Sequence, residues 1–147
     1  MIYEALQQHF AATGLDLDEH PDQGWVSTAG FGEHGSWLLV AQAYEERSQA
    51  AIYSVMPGTV AEEHRPAMAV LLARINYGLI LGNFEIDLSD GEVRFKVSAD
   101  FGGAEPGEAQ LKPLVATSLA QFDRWLPSLR DVIGGADPAG AFASVAA

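Results

Sequence analysis

The chain of 147 residues contains no cysteine. Disulfides, thiol catalysis and zinc sites built on thiolate are thereby excluded. Basic residues are scarce. Eight Lys and Arg stand against twenty Asp and Glu, for a net charge of −12. So acidic a chain lacks the basic face that nucleic-acid phosphates or an anionic membrane surface would attract. No apolar run reaches the roughly 18 residues that a membrane-spanning helix needs. Tyr3 and Glu4 follow the first two residues with no basic flank and no apolar region behind them. That argues against a secretory signal, and a cytoplasmic location is expected.

What is present points to one globular domain. Apolar residues make up 48% and charged ones 19%, a balance that supports a core without staples. Ile2, Leu6 and Phe10 recur at helical spacing, so Ile2 to Thr13 reads as a first helix ended by Gly14. Asp16 to Asp22 reads as an acidic loop. Three strand-like runs follow: Gly24 to Phe31, Ser36 to Tyr44 and Gln49 to Met56. A second helix covers about Ala61 to Tyr77. Pro66 conflicts with that start, so the helix either begins near Arg65 or is kinked. Asn83 to Asp100 forms a hairpin. With Asp90-Gly91 as a two-residue turn, Leu88, Ile86 and Phe84 oppose Val93, Phe95 and Val97 on an apolar face. Asp87 and Glu85 then oppose Arg94 and Lys96. A long third helix runs from Gly107 or Lys112 to Ile133, and Pro127 frees a backbone carbonyl near Asp123. The fold class is α+β in the order α-β-β-β-α-β-β-α, with an antiparallel sheet packed with helices. The domain spans residues 1–135, and the weakly patterned segment from 136 to 147 reads as a mobile tail.

In Trp37-Leu38-Leu39-Val40 both faces of the strand are apolar, and Ile52 to Met56 is apolar on both sides apart from Ser54. Such strands need cover on both faces. Either the chain's own helices and loops supply it, or one face meets a second subunit or a bound peptide. Leu38, Val40, Tyr53 and Met56 are the candidate contact residues. Asn76, Tyr77 and Asn83 are candidate polar anchors for a bound chain. The bland reading of the two amides is local bonding at a tight helix-to-strand crossing.

The chemistry-bearing residues assemble no enzyme motif. His9, His20, His34 and His64 show no i, i+4 pair of metal ligands. Glu62, Glu63 and His64 are neighbours that point apart on a helix. Asp16, Asp18, His20 and Asp22 lack the glycine and closing Glu of a calcium loop. No G-x-S-x-G nucleophile elbow occurs, and Gly30, Gly32 and Gly35 read as a turn. No cofactor or metal is expected, and the chain reads as a non-enzyme.

The stretch "NYGLILGNFEIDLSDGEVRF", from Asn76 to Phe95, together with "SLAQFDRWLPSLRDVIGG" near the end, resembles the YbjN-like bacterial domain. Its elements are a helix ending in Asn-Tyr-Gly, then Gly-Asn-Phe-Glu, an acidic-glycine hairpin, and an Asp-x-x-Leu-Pro element met by Asp123, Leu126 and Pro127. The likeness covers roughly residues 25–134. Ile80 departs from it, standing where the family often has proline. The resemblance implies a fold similar to the small acidic chaperones of type III secretion, which are homodimers that hold an extended segment of a partner. It also implies the label of sensory transduction regulator, and it supplies no catalytic residues. The expected function is a chaperone-like protein-binding module, a homodimer with a protein client. The alternatives are a regulator acting through protein contacts, or a small-molecule-binding or hydrolytic enzyme.

Overall fold

The computed structural model describes all residues, Met1–Ala147. Four helices and six strands follow in the order α1 (Ile2–Ala11), β1 (Asp18–His20), β2 (Trp25–Gly32), β3 (Gly35–Tyr44), β4 (Gln49–Val55), α2 (Arg65–Tyr77), β5 (Asn83–Ile86), β6 (Val93–Asp100), α3 (Glu108–Ile133) and α4 (Pro138–Ala146). The strands form one antiparallel sheet in the order β1-β2-β3-β4-β6-β5. The α+β class and its element order stand as read from the sequence, with an added edge strand and an added final helix.

Each addition has a physical cause. The acidic segment before Pro21 pairs with β2, Asp18 opposite Ser27 and His20 opposite Trp25. Its polar side chains suit a solvated edge, which is why no alternation marked it. The segment from 138 to 146, expected to be a mobile tail, forms a helix. Asp137 caps it by accepting from the Gly140 amide at 3.1 Å, and Pro138 occupies its first turn. Its small side chains carry little periodic signal.

The conflict at Pro66 resolves by division of the segment. Glu62–His64 makes a 3-10 turn, and the α-helix starts at Arg65 with Pro66 in its first turn, where no amide is needed. The β5–β6 hairpin differs from its expected register by two residues. Ile86 opposes Val93, Phe84 opposes Phe95, and Glu85 opposes Arg94. A slip of two keeps every side chain on its own face, so the apolar side is preserved. The turn lengthens because Asp87 folds it locally. Asp87 Oδ1 accepts from the Ser89 amide at 2.9 Å, and the Gly91 amide donates to the Asp87 carbonyl at 2.7 Å. Leu88 thereby leaves the expected apolar pair with Val93 and is exposed. Asp87 likewise does not pair with Arg94.

One face of the sheet is covered and the other is not. α1 and α3 pack on the inner face, and α2 lies beside β5. The inner face presents Val26, Leu39, Ala41, Ile52, Phe95 and Val97, all buried. Phe122 of α3 packs on Trp37 at 4.8 Å and on Phe84 at 6.2 Å between ring centres. Ser54 is the polar exception on the inner face of β4. Its hydroxyl meets the Ser118 hydroxyl of α3 at 2.8 Å, so neither is buried unpaired.

Candidate functional site

Alternation places the outer side chains of β2, β3 and β4 on the open face. Val40 opposes Tyr53, Leu38 opposes Val55, and Trp25 opposes Gln42. No helix covers these residues. Leu38 is 49% exposed and Phe31, at the end of β2, is 58% exposed. The face is concave near its centre, with a volume of about 370 Å³ bounded by Trp25, Leu38, Val40, Tyr44 and Tyr53 among others. Leu38, Val40 and Tyr53 therefore form one contiguous apolar strip.

The strip has a polar border. Tyr53 is nearly buried within it, and its hydroxyl meets that of Tyr44 at 3.0 Å. Burial, followed by that hydrogen bond, pushes the Tyr53 phenol above its ordinary value. The Arg94 guanidinium lies over the Tyr53 ring, 4.3 Å from its centre. Arg94 Nε also bonds Glu85 Oε1 at 2.5 Å, and Lys96 Nζ reaches Glu85 Oε2 at 3.1 Å. Burial works against the Glu85 charge, but those two cations outweigh it and hold its carboxyl below the usual range. The open face is thus apolar across β2–β4 and ionic across β5–β6.

Met56 does not join the strip. It lies three residues beyond Tyr53, hence on the opposite side, and it is buried in the core. Asn76 is engaged within the chain. Its Oδ1 accepts from the Phe84 amide at 2.8 Å and its Nδ2 donates to the Phe84 carbonyl at 3.0 Å. The amide group thus occupies the outer edge of β5 as a neighbouring strand would. Asn83 Nδ2 also donates to the Phe84 carbonyl, at 3.2 Å. Tyr77 is 96% exposed at the end of α2, away from the open face.

A second constellation escaped the sequence reading. Glu33, His34 and Asp123 bring one potential ligand atom each within 4.8 Å of one another. Their bonding explains them as a clamp on the β2–β3 turn. Asp123 Oδ1 accepts from the His34 amide at 2.9 Å. Pro127 has no N–H for the Asp123 carbonyl, and His34 Nδ1 takes that place at 3.0 Å. A carbonyl only accepts, so Nδ1 carries the proton. Arg130 Nη1 donates to the His34 carbonyl at 2.6 Å. Gly32 leaves the room required, since a Cβ there would stand 2.1 Å from Asp123 Oδ1. The signal in the sequence was Asp123 with Pro127 four residues on.

Burial opposes the Asp123 charge, but the amides of His34 and Glu33 outweigh it and hold the carboxyl below its ordinary value. Stability from such a group is present above the unfolded-state value and is lost as pH falls through the folded-state one. The clamp should therefore weaken below about pH 4. Asp123→Asn should lower stability at pH 7 by about 1–3 kcal/mol, the worth of hydrogen bonds to a charged group. It should also flatten the acid limb of the melting temperature plotted against pH. An acid limb as steep as that of the unsubstituted protein would remove Asp123 from this role.

No helix is long and apolar enough to cross a membrane. No curated protein and no solved structure matches the chain. A family model does, over residues 3–131, and its description reads "Putative bacterial sensory transduction regulator". That span takes in the sheet with its open face, the Asn76 bridge and the Asp123 clamp, and the chain belongs to the YbjN family.

Proposed function

We propose that this protein is a non-enzymatic, chaperone-like binding module that works through the open face of its sheet. The observation that carries this reading is the apolar strip of exposed Leu38, half-buried Val40 and nearly buried Tyr53 on the central strands, on the sheet face away from the packed helices. Central strands with an apolar outer face are ordinarily covered. An extended or amphipathic segment of a partner protein fits such a surface, with its apolar side chains in the concavity. The chain's charge of −12 disfavours acidic partners and suits basic or amphipathic ones. Two copies set face to face would bury the strip in the resting state, giving a cytoplasmic homodimer. The family description supports a second reading, in which the same contacts serve a sensory regulator. Both readings use one surface and differ in the partner.

Solution mass by light scattering over a concentration series tests the surface. The expected mass is twice 15.7 kDa for the unsubstituted chain. Leu38→Asp and Val40→Asp should each return it to a single copy while the circular dichroism stays native. Folded variants that keep both the doubled mass and partner binding would refute the open face as the contact. Met56→Asp is unsuitable as a probe, because a charge in the core would unfold the domain.

A further inference from the structure

The hollow on the open sheet face offers a guest a particular chemistry. Three aromatic side chains border it: Trp25 from β2, Tyr44 from β3 and Tyr53 from β4. Each is held in place. His20 stacks on Trp25 with 3.8 Å between ring centres, and the Trp25 Nε1–H donates to Gln23 Oε1 at 2.9 Å. Tyr44 and Tyr53 share the hydrogen bond between their hydroxyls. Rings fixed in advance lose little freedom when a guest arrives. Their faces carry partial negative charge and attract cations. The structure already shows that attraction once, in the Arg94 guanidinium over Tyr53.

The polar groups at the hollow point the same way. Gln42 Nε2 donates to the backbone carbonyls of Gln23, Gly24 and Ala43 at 3.0 to 3.2 Å. Its amide protons are thereby used, and Gln42 has only the acceptor Oε1 left for a guest. Glu92 adds a carboxylate, its side chain 44% exposed. The one cation bordering the hollow, Arg94, is neutralised by Glu85. An anionic guest would meet ring faces, an acceptor oxygen and a carboxylate. A cationic guest finds partners in all three. At long range the net charge of −12 draws the same kind of guest.

We propose that the hollow is a socket for one basic side chain, projecting from an extended apolar segment of the partner. This rests on the open face being the binding surface, and it adds what that face selects. The cationic head lies against the rings of Tyr44 and Trp25, with Gln42 Oε1 and the Glu92 carboxylate as its acceptors. The apolar side chains on either side of it lie on Leu38 and Val40. Tyr44, 40% exposed, is the specificity-determining residue. Tyr53 is nearly buried, and its ring already holds Arg94.

Two short fluorescein-labelled peptides test the socket. Both alternate leucine with serine, and they differ at one central position. That position holds arginine in one and citrulline, its uncharged isostere, in the other. Binding to the full chain is followed by anisotropy at about 0.15 M salt, where long-range attraction is screened. The arginine peptide should bind at least about fivefold more tightly. Tyr44→Leu should remove that preference, and Tyr44→Phe, which keeps the ring, should retain it. All three proteins carry the same net charge, so a preference that survives Tyr44→Leu would belong to charge alone and overturn the proposal. Equal binding of the two peptides, lost in Leu38→Asp, would also overturn it while leaving the open face as the binding surface. Binding unchanged in Leu38→Asp, or no binding of either peptide, would overturn both. Two copies paired over the strip would weaken both peptides alike and leave their ratio unchanged.

Discussion

Phe122→Ala is expected to destabilise the fold by about 3–5 kcal/mol, the usual range for removing a buried aromatic ring. Phe122 is fully buried. It sits on α3 where that helix crosses the sheet, and it touches both Trp37 on β3 and Phe84 on β5. These two strands lie on either side of the β4–β6 pair, so one ring spans much of the inner face. The neighbours cannot close the gap cheaply. Trp37 and Phe84 are themselves buried in the packed core. For a chain of this length the melting midpoint should fall by on the order of 10 °C. Thermal unfolding by circular dichroism measures it. A fall of only about 2–3 °C, worth roughly 1 kcal/mol or less, would mean that α3 is not the principal cover of the sheet.

Gly91→Ala should cost on the order of 3 kcal/mol, although the residue lies in a turn. Two effects add. Gly91 has φ +83°, where an alanine is strained by about 1–2 kcal/mol. Its Cβ would also stand 2.2 Å from the Val60 carbonyl oxygen. The turn would have to withdraw, breaking the bond from the Val60 amide to the Gly91 carbonyl, now 2.8 Å and worth about 1 kcal/mol. Gly58 separates the two contributions. It has φ +77°, but a Cβ added there would meet nothing within 4 Å, so Gly58→Ala should show the conformational cost alone. Chemical unfolding of the two variants should differ by more than about 1 kcal/mol. Equal losses would show that the close approach at Val60 relaxes freely.

The strands and their faces were legible because side-chain alternation is a strong local signal. Leu38 and Val40 alternate with Trp37 and Leu39, and on the outer face Leu38 is exposed and Val40 half-buried. The same rule, carried through, separates Tyr53 from Met56, which differ by an odd number and face opposite ways. The register of the β5–β6 hairpin was harder. Two registers differing by two residues satisfy the same apolar face, and local bonding at Asp87 decides between them. Long-range clamps left fainter traces. The carbonyl freed by Pro127 could be foreseen, but its partner His34 lies 89 residues away in sequence. β1 and α4 carried little periodic signal. One is a polar edge and the other is built of small residues, and each is held by what it packs against.

The amide of Asn76 has a consequence for how this sheet meets other sheets. A flat sheet with two free rims can add strands at either side, and such growth has no natural end. Here the β5 rim is sealed at Phe84 by a side chain that satisfies both backbone groups. At the other rim β1 offers only three residues. An interrupted ladder at one rim and a three-residue ladder at the other give an added strand little to pair with, which disfavours edge-to-edge growth beside so apolar a face.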